Sequence, residues 1–394
     1  MPVATDAKSA AASTVAAAED VLIGLSHRIH AHPEINFEEE LAANWVATVL
    51  ADAGFAVETG VADLPTAFVA TIGSGPLTVG ICAEYDALPG IGHACGHNII
   101  AAAATGAGLA LAPLADDLGL TVKVFGTPAE EGGGGKILML QRGVFEGVHA
   151  AMMVHPSPIE RETMACLAVS HTHVRYTGKS AHASAWPEQG INAADALTVA
   201  QVGIGLLRQH VPSASRIHGI VTHGGDAPNV VPEATSGVWL VRAPTLAELA
   251  VLEPRVRACW EAGALATGCT LETEPVGPPY SEMRYDIEMA ASYRANATAL
   301  GRTFIDLPKD LADRTAGSTD MANISLAIPT IHPMLGLDCL PASNHQPDFT
   351  AACATTVADK ATVEGATAMA WTCVDMATDQ AQRARLLAGE RRDT

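Results

Sequence analysis

Aromatic residues are scarce: five Trp, five Tyr and seven Phe make up 4% of the 394 residues. The hydrophobic fraction is nevertheless 48%, so large cores must be filled mainly by Ala, Val, Leu and Ile. Basic residues are also few. Against 43 Asp and Glu stand 23 Lys and Arg, a formal net charge of −20. That balance excludes the basic patches that nucleic acid requires and disfavours anionic membrane surfaces. Its plainest meaning is solubility. The eight cysteines (Cys82, Cys95, Cys166, Cys259, Cys269, Cys339, Cys353 and Cys373) form no CxxC pair. In a chain of this length they read as reduced, mostly buried thiols rather than a disulfide framework. There is no unbroken run of about 18 apolar residues for a membrane span. The N-terminal stretch carries Asp6, Glu19 and Asp20 and lacks a basic start followed by an apolar segment. No signal peptide is expected, and the expected location is cytoplasmic.

What the chain does have is one arrangement met three times. The apolar run Leu77–Ala83 leads through Asp86 to His93-Ala-Cys95-Gly-His97-Asn98, ahead of a small-residue helix from Ile99 to Ala112. A second run, Leu120–Gly126, leads into Thr127-Pro-Ala-Glu130-Glu131 and four glycines, Gly132–Gly135. A third, His149–Val154, ends in His155-Pro156. Each reads as a buried strand with polar side chains at its carboxyl end, the edge where open α/β sheets bind ligands. Thiolate, imidazole and carboxylate are the donors that divalent transition metals take. Cys95, His97, Glu130, Glu131 and His155 therefore point to a metal site.

The organisation is that of two domains. Residues 1–16 are polar and Ala-rich and are expected to fray. Residues 20–53 carry helical periodicity interrupted at His32-Pro33. Residues 54–160 alternate strands and helices in the manner of a βαβ sheet. From Ala168 the pattern changes. A two-sided strand (Ala168–Thr177), a helix (Asn192–Gln209), two strands (Arg216–Gly224 and Glu233–Ala243), a helix (Leu246–Ala266) and a strand (Thr270–Val276) follow. The order β-α-β-β-α-β describes a ferredoxin-like module. Pro278-Pro279 reads as a linker, after which the first pattern resumes. The expectation is an α/β catalytic domain, with a mostly parallel mixed sheet and helices on both faces. It is built from residues 1–167 and 281–394 and interrupted by an α+β insert at 168–280.

A hydrolytic two-metal site needs a shared ligand, terminal ligands and a base for the attacking water. Adjacent acids in a non-helical loop can divide that work. The competing reading of Glu130 and Glu131 is the first turn of a helix, where acids favour the dipole; the other two strand ends weigh against it. Histidines His27, His30 and His32 have helical spacing and read as a helix surface. His171 and His173 lie on one strand face. His223 sits in a glycine turn. Ser318-Thr319-Asp320 fits either a pocket lining or a helix N-cap. His345, in a loop of turn formers, reads on its own as a surface residue.

Five separated motifs, in order, carry a resemblance. Asp86-Ala-Leu-Pro, His93-Ala-Cys-Gly-His97, Pro128-Ala-Glu-Glu-Gly132, Met153-Val-His-Pro156 and Asn344-His-Gln-Pro-Asp-Phe349 resemble the aminoacylase-1 and dizinc carboxypeptidase superfamily. The branch is that of the amidohydrolases that include IAA-amino-acid hydrolases. The short gap from Asp86 to His93, Asn98 and the Gly132–Gly135 run resemble its aminobenzoyl-glutamate hydrolase and aminoacylase-1-like-2 subgroup. The resemblance implies that Cys95, His97, Glu131, His155 and His345 are metal ligands, with Cys95 bridging two divalent ions. Zinc is the first candidate metal, manganese or cobalt the others. It implies Glu130 as general acid and base, and Asp86 as the acid that orients the ligands. In the insert it implies that His182 reaches the substrate in a partner subunit, and that Asn229 and Arg242 hold the scissile group and the substrate carboxylate. Many relatives carry Asp where this chain has Asn98, and His-His-Pro where it has Asn344-His345-Gln346. The expected enzyme is a homodimer, joined through the insert, that cleaves the amide bond of an N-acyl, N-aminoacyl or aminobenzoyl amino acid. A small-molecule amide is its partner, with no nucleic acid and no membrane. The alternatives are a dipeptidase for unusual dipeptides such as β-alanyl ones, and an inactive metal-binding homologue. Retention of Glu130 and all five implied ligands speaks against the latter.

Overall fold

A computed structural model describes residues 4–393. In chain order its strands are β1 (Ala56–Thr59), β2 (Phe68–Ile72), β3 (Leu77–Glu84), β4 (Leu120–Thr127), β5 (Ala150–Met152), β6 (His155–Ser157), β7 (Ala168–Thr177), β8 (Arg216–His223), β9 (Ala234–Ala243), β10 (Thr270–Pro275), β11 (Thr330–Ile331) and β12 (Met334–Gly336). The chain divides into two units, Met1–Ala165 with Met283–Thr394, and Cys166–Glu282.

The first unit is built on a six-stranded sheet of order β1-β2-β4-β3-β5-β11. β1, β2 and β4 pair antiparallel; β4, β3, β5 and β11 pair parallel. β3 and β4 sit at the centre. Their sequences, Leu-Thr-Val-Gly-Ile-Cys-Ala-Glu and Leu-Thr-Val-Lys-Val-Phe-Gly-Thr, are nearly continuous apolar runs, as strands covered on both faces must be. The strand period of two divides their side chains between two cores. Val79, Ile81, Val122 and Val124 enter the larger one, with the helices Glu19–Ala31, His97–Leu111 and Thr356–Thr378. Cys82 and Phe125 enter the other, with Met139, Phe145, Met321 and Ile324.

From Ala4 onward the N-terminal stretch does not fray as expected; residues 1–3 lie outside the described residues. Ala4–Ala17 is a helix whose Ala7, Ala11 and Val15, spaced four apart, are buried. Lys8 fixes it further: its ammonium donates to Asn296 Oδ1 and Asp375 Oδ2 at 2.8 Å, and its carbonyl accepts from Trp371 Nε1. Small side chains let two helices approach closely, so an Ala-rich sequence that looks weak in isolation docks well. The segment His97–Leu118 is long and apolar enough to cross a membrane by composition, although polar residues interrupt it. In this fold it is core, 78% buried inside the protein.

The second unit is a four-stranded antiparallel sheet of order β10-β7-β9-β8, covered by the helices Ala193–Leu207 and Leu246–Thr267. Asn192 and Thr245 cap these helices through their side chains, accepting from Ala194 N–H and Glu248 N–H. Its core includes Val174, Tyr176, Trp239 and Trp260. β7 alternates as a half-buried strand should: Thr172, Val174 and Tyr176 are buried, whereas His173 and Arg175 face water. β8 forms one edge and is almost wholly exposed.

Candidate metal centre and active site

The site of the first unit collects at the carboxyl ends of β3, β4 and β5, where side chains leave the sheet. Gly96 lets two of these ends meet. It takes φ +78°, and a Cβ there would lie 2.7 Å from Pro156. The backbone between Cys95 and His97 can therefore press against His155-Pro156. After β4 the chain turns sharply: Ala129 holds φ +57°, unusual for a non-glycine residue. That strained turn aims Glu130 and Glu131 away from the sheet. Buried Glu39 stabilises it, accepting from Ala129 N–H at 2.8 Å and from Thr66 Oγ1 at 3.0 Å.

Asp86 links two of the motifs. Its Oδ1 lies 2.9 Å from His97 Nδ1, and its Oδ2 accepts from Glu131 N–H at 2.9 Å. Burial opposes the charge on Asp86, but His97 and the Glu131 N–H outweigh it and hold the carboxyl below its ordinary value. With Nδ1 engaged, His97 turns Nε2 toward Glu84 Oε2 at 3.3 Å, Glu131 Oε1 at 3.9 Å and Glu130 Oε2 at 4.0 Å. Burial disfavours an imidazolium there, yet Asp86 and Glu84 push His97 well above its usual value. His155 behaves oppositely. Burial lowers it to about 4, and its Nδ1 is 2.9 Å from the Pro156 carbonyl, so the lone pair is on Nε2, on the side of Cys95 Sγ. The ring of His332, fully buried, sits 5.3 Å from that of His155.

Three donor groups have their ligand atoms within 4.8 Å of one another: Glu84–His97–Glu130, Cys95–His97–His155 and, sharing a residue with the second of these, Cys95–Glu131–His345. The last two have Cys95 in common. Its sulfur is 3.5 Å from His155 Nε2 and 3.6 Å from His345 Nε2. Two ligands on one tetrahedral ion, a sulfur at ~2.3 Å and a nitrogen at ~2.1 Å, stand about 3.6 Å apart. His345 Nε2 and Glu131 Oε2 are 3.5 Å apart, near the about 3.4 Å of a nitrogen and an oxygen on one ion. The electrostatics agree. Burial and then mutual repulsion push Glu130 well above the ordinary carboxylate value; burial also raises Glu131. Acids this crowded ionise together only with cations among them. Donor type, spacing and charge all fit divalent metal.

The structure thus brings Asp86, Cys95, His97, Glu130, Glu131, His155 and His345 into one cluster. His345 reaches it through a strained φ of +66° and a backbone bond from its N–H to Ala94 O. Asn344 Nδ2 touches Cys95 Sγ at 3.8 Å and donates to Pro156 O at 3.1 Å. Asn98 lies apart from the donors, bonded to Ser26 and Cys353 O between helices. His27 pairs with Asp359 and His30 with Thr350 O. In the second unit, His182 and Asn229 are neighbours. Val230 bridges His182, and Ala183 N–H donates to Asn229 O at 3.0 Å. His182 Nδ1 accepts from Ser184 N–H at 3.3 Å and Ala185 N–H at 3.2 Å, which leaves Nε2 protonated and exposed as a donor. Arg242 is elsewhere on that sheet, opposite Arg216, with Nε 3.4 Å from His218 Nε2.

Sequence reasoning passed over Glu84 and Lys136 and did not join Asp320 to them. The Lys136 ammonium is fully buried, 2.5 Å from Glu84 Oε1 and 2.7 Å from Asp320 Oδ1. Asp320, left open between pocket and cap, makes no side-chain cap and takes the Lys136 N–H instead. Two signals were available. An acid ends a buried apolar strand at Glu84, and a lysine opens a helix at Lys136, where a cation opposes the dipole.

Comparison with known proteins agrees with this geometry. The model of Peptidase family M20/M25/M40 matches residues 80–364. An Xaa-Arg dipeptidase of Mus musculus is 37% identical over 386 residues, 94% of this chain and 88% of that protein. A subunit of the p-aminobenzoyl-glutamate hydrolase of Escherichia coli (strain K12) is 35% identical, over 63% of this chain and 56% of its own. Among solved structures, an aminobenzoyl-glutamate utilization protein from Klebsiella pneumoniae superposes with a TM-score of 0.72 at 20% identity, covering 91% of this chain and 96% of that one. Sequence, fold and a buried metal-competent cluster converge: the chain belongs to peptidase family M20/M25/M40 and is a metallo-amidohydrolase.

Proposed function

We propose that the enzyme cleaves the amide bond joining an acyl or aminoacyl group to an amino acid that keeps its carboxylate free, using two divalent ions. Zinc is the first candidate and manganese and cobalt follow. The observation that carries this reading is Cys95, common to two donor groups, with the buried Glu130 beside them. When bound, the ions would polarise the scissile carbonyl and acidify a water molecule. Glu130 takes the proton from that water on its carboxylate and returns it to the leaving nitrogen. Asp86 keeps His97 in one orientation by its 2.9 Å bond to Nδ1. His182, with Nε2–H exposed, suits an oxyanion, and Arg242 suits a carboxylate through parallel hydrogen bonds.

Dipeptides are the substrates we favour, because the likeness to the Xaa-Arg dipeptidase extends over 94% of the chain. The formal net charge of −20 also concentrates cationic substrates near the protein. The second reading, an aminobenzoyl amino acid, rests on the 35% identity to the p-aminobenzoyl-glutamate hydrolase of Escherichia coli. We further propose a homodimer joined through the insert. Edge strand β8 exposes Ile220 and Val221, and the helix Ala193–Leu207 exposes Val202 and Leu206, the latter at 69%. An open strand edge beside apolar residues is a ready pairing surface.

The test is a substrate panel on protein reconstituted with zinc, manganese or cobalt. It would include dipeptides ending in Arg, β-alanyl dipeptides, N-acyl amino acids and p-aminobenzoyl-glutamate. Hydrolysis of dipeptides, abolished by chelator and restored by metal, is expected. No turnover of any member, or turnover indifferent to chelator, would overturn the proposal.

A further inference from the structure

Three neighbouring buried groups, Glu84, Lys136 and Asp320, have no role in this reading. Asp320 grips Lys136 twice, accepting from its backbone N–H at 2.9 Å and from Nζ at 2.7 Å. Lys136 in turn places Nζ 2.5 Å from Glu84 Oε1. That contact is an ion pair without hydrogen-bond alignment: neither Glu84 oxygen has an aligned hydrogen-bond partner among the described residues. The triad carries one positive and two negative charges at zero side-chain exposure, so one negative charge is left over in a dry interior. A buried charge of that kind needs a counter-charge.

The other Glu84 oxygen shows where that counter-charge would sit. Oε2 lies 3.3 Å from His97 Nε2, itself buried and without an aligned hydrogen-bond partner. A charge-assisted hydrogen bond between imidazole and carboxylate would close to about 2.8 Å. A nitrogen and an oxygen on one tetrahedral ion stand about 3.4 Å apart. The observed gap matches the second case, and Glu84, His97 and Glu130 form a further group whose ligand atoms lie within 4.8 Å. We infer that Glu84 is an additional protein donor to the metal centre, giving Oε2 to the ion that His97 holds, with Lys136 and Asp320 clamping its carboxylate in place. This rests on the reading of Cys95 and His97 as ligands. It also gives the buried lysine a purpose: occupying Oε1, it presents the carboxylate to the metal through one oxygen.

The experiment measures zinc affinity by chelator competition, and the visible spectrum of cobalt-substituted protein, for the wild-type chain and five variants. Glu84→Gln should weaken one of the two ions by roughly tenfold to a hundredfold and change the cobalt bands. Glu84→Asp keeps the charge beside Lys136 but withdraws the oxygen from His97, so it should lose the same ion while staying folded. Lys136→Met and Asp320→Asn loosen the clamp but leave Glu84 in place, so they should lower the melting temperature and weaken the same ion less than Glu84→Gln does. Wild-type affinity and spectrum in both Glu84 variants would overturn the inference. So would a lowered melting temperature in Glu84→Gln with unaltered cobalt bands, which would make the triad a purely structural ion pair. Cys95→Ser is the control that separates the two readings. If it too binds both ions as wild type does, the metal centre itself is misassigned; if it alone loses metal, only the role of Glu84 fails.

Discussion

Replacing Glu130 by Gln separates proton transfer from metal binding. The amide has the shape of the carboxylate but cannot take up a proton from water. Glu130 is 6% exposed, and its Oε2 stands 4.0 Å from His97 Nε2, so no bulk water can substitute for it readily. Loss of a general acid–base group costs about 10²–10⁴ in kcat, or about 3–5 kcal/mol of barrier at about 1.4 kcal/mol per decade. The same change relieves crowding. Burial, then Glu84, Glu131 and Asp320, raise the Glu130 carboxyl well above its ordinary value when no cation is present. Metal-stripped Glu130→Gln should therefore melt higher than metal-stripped wild type above pH 4.5, where the unfolded carboxyl ionises and the buried one resists. The assays are turnover on the best substrate of the panel, metal content by mass spectrometry, and melting curves with and without chelator. Near-wild-type turnover at full metal occupancy would refute Glu130 as the base. Loss of an ion together with activity would make it a ligand instead.

Three further outcomes are expected. Burial, and then Asp86, raise Glu39 from 4.5 to about 7. An acid raised in the folded state stabilises fully below its unfolded value and loses that contribution as pH climbs through the folded one. Glu39 should thus cost up to about 3 kcal/mol between pH 4.5 and 7; Glu39→Gln should flatten that part of the wild-type urea-midpoint profile, and an unchanged profile would refute the shift. Arg242→Ala should raise KM about 10- to 100-fold for substrates with a free carboxylate, the worth of a charged hydrogen bond, and little for their amides; an equal effect on both would leave Arg242 a support of its own sheet. Glu130→Gln and His182→Ala dimers, each nearly inactive, should recover roughly a quarter of wild-type sites after dissociation and mixed reassembly. No recovery despite proven subunit exchange would place His182 outside the partner's site.

Much of this protein is legible along the chain. β3 and β4 announce themselves as unbroken apolar runs, because a strand buried on both faces has no polar side to show. β7 and the four-strand module follow from alternation and helix caps, which are local properties. Cys95, His97, Glu130, Glu131 and His155 could be picked out because metal chemistry recruits few residue types and α/β folds put them at strand ends. Other features needed the third dimension. The docking of Ala4–Ala17 depends on a helix more than 300 residues away. His345 is an ordinary loop histidine until a left-handed backbone and the Ala94 carbonyl bring it to Cys95. Glu84, Lys136 and Asp320 lie on three separate elements, and nothing in their spacing joins them. Burial brings them together: in a dry interior each charge must find its partner across the fold, and the sequence records the charges without recording the distances between them.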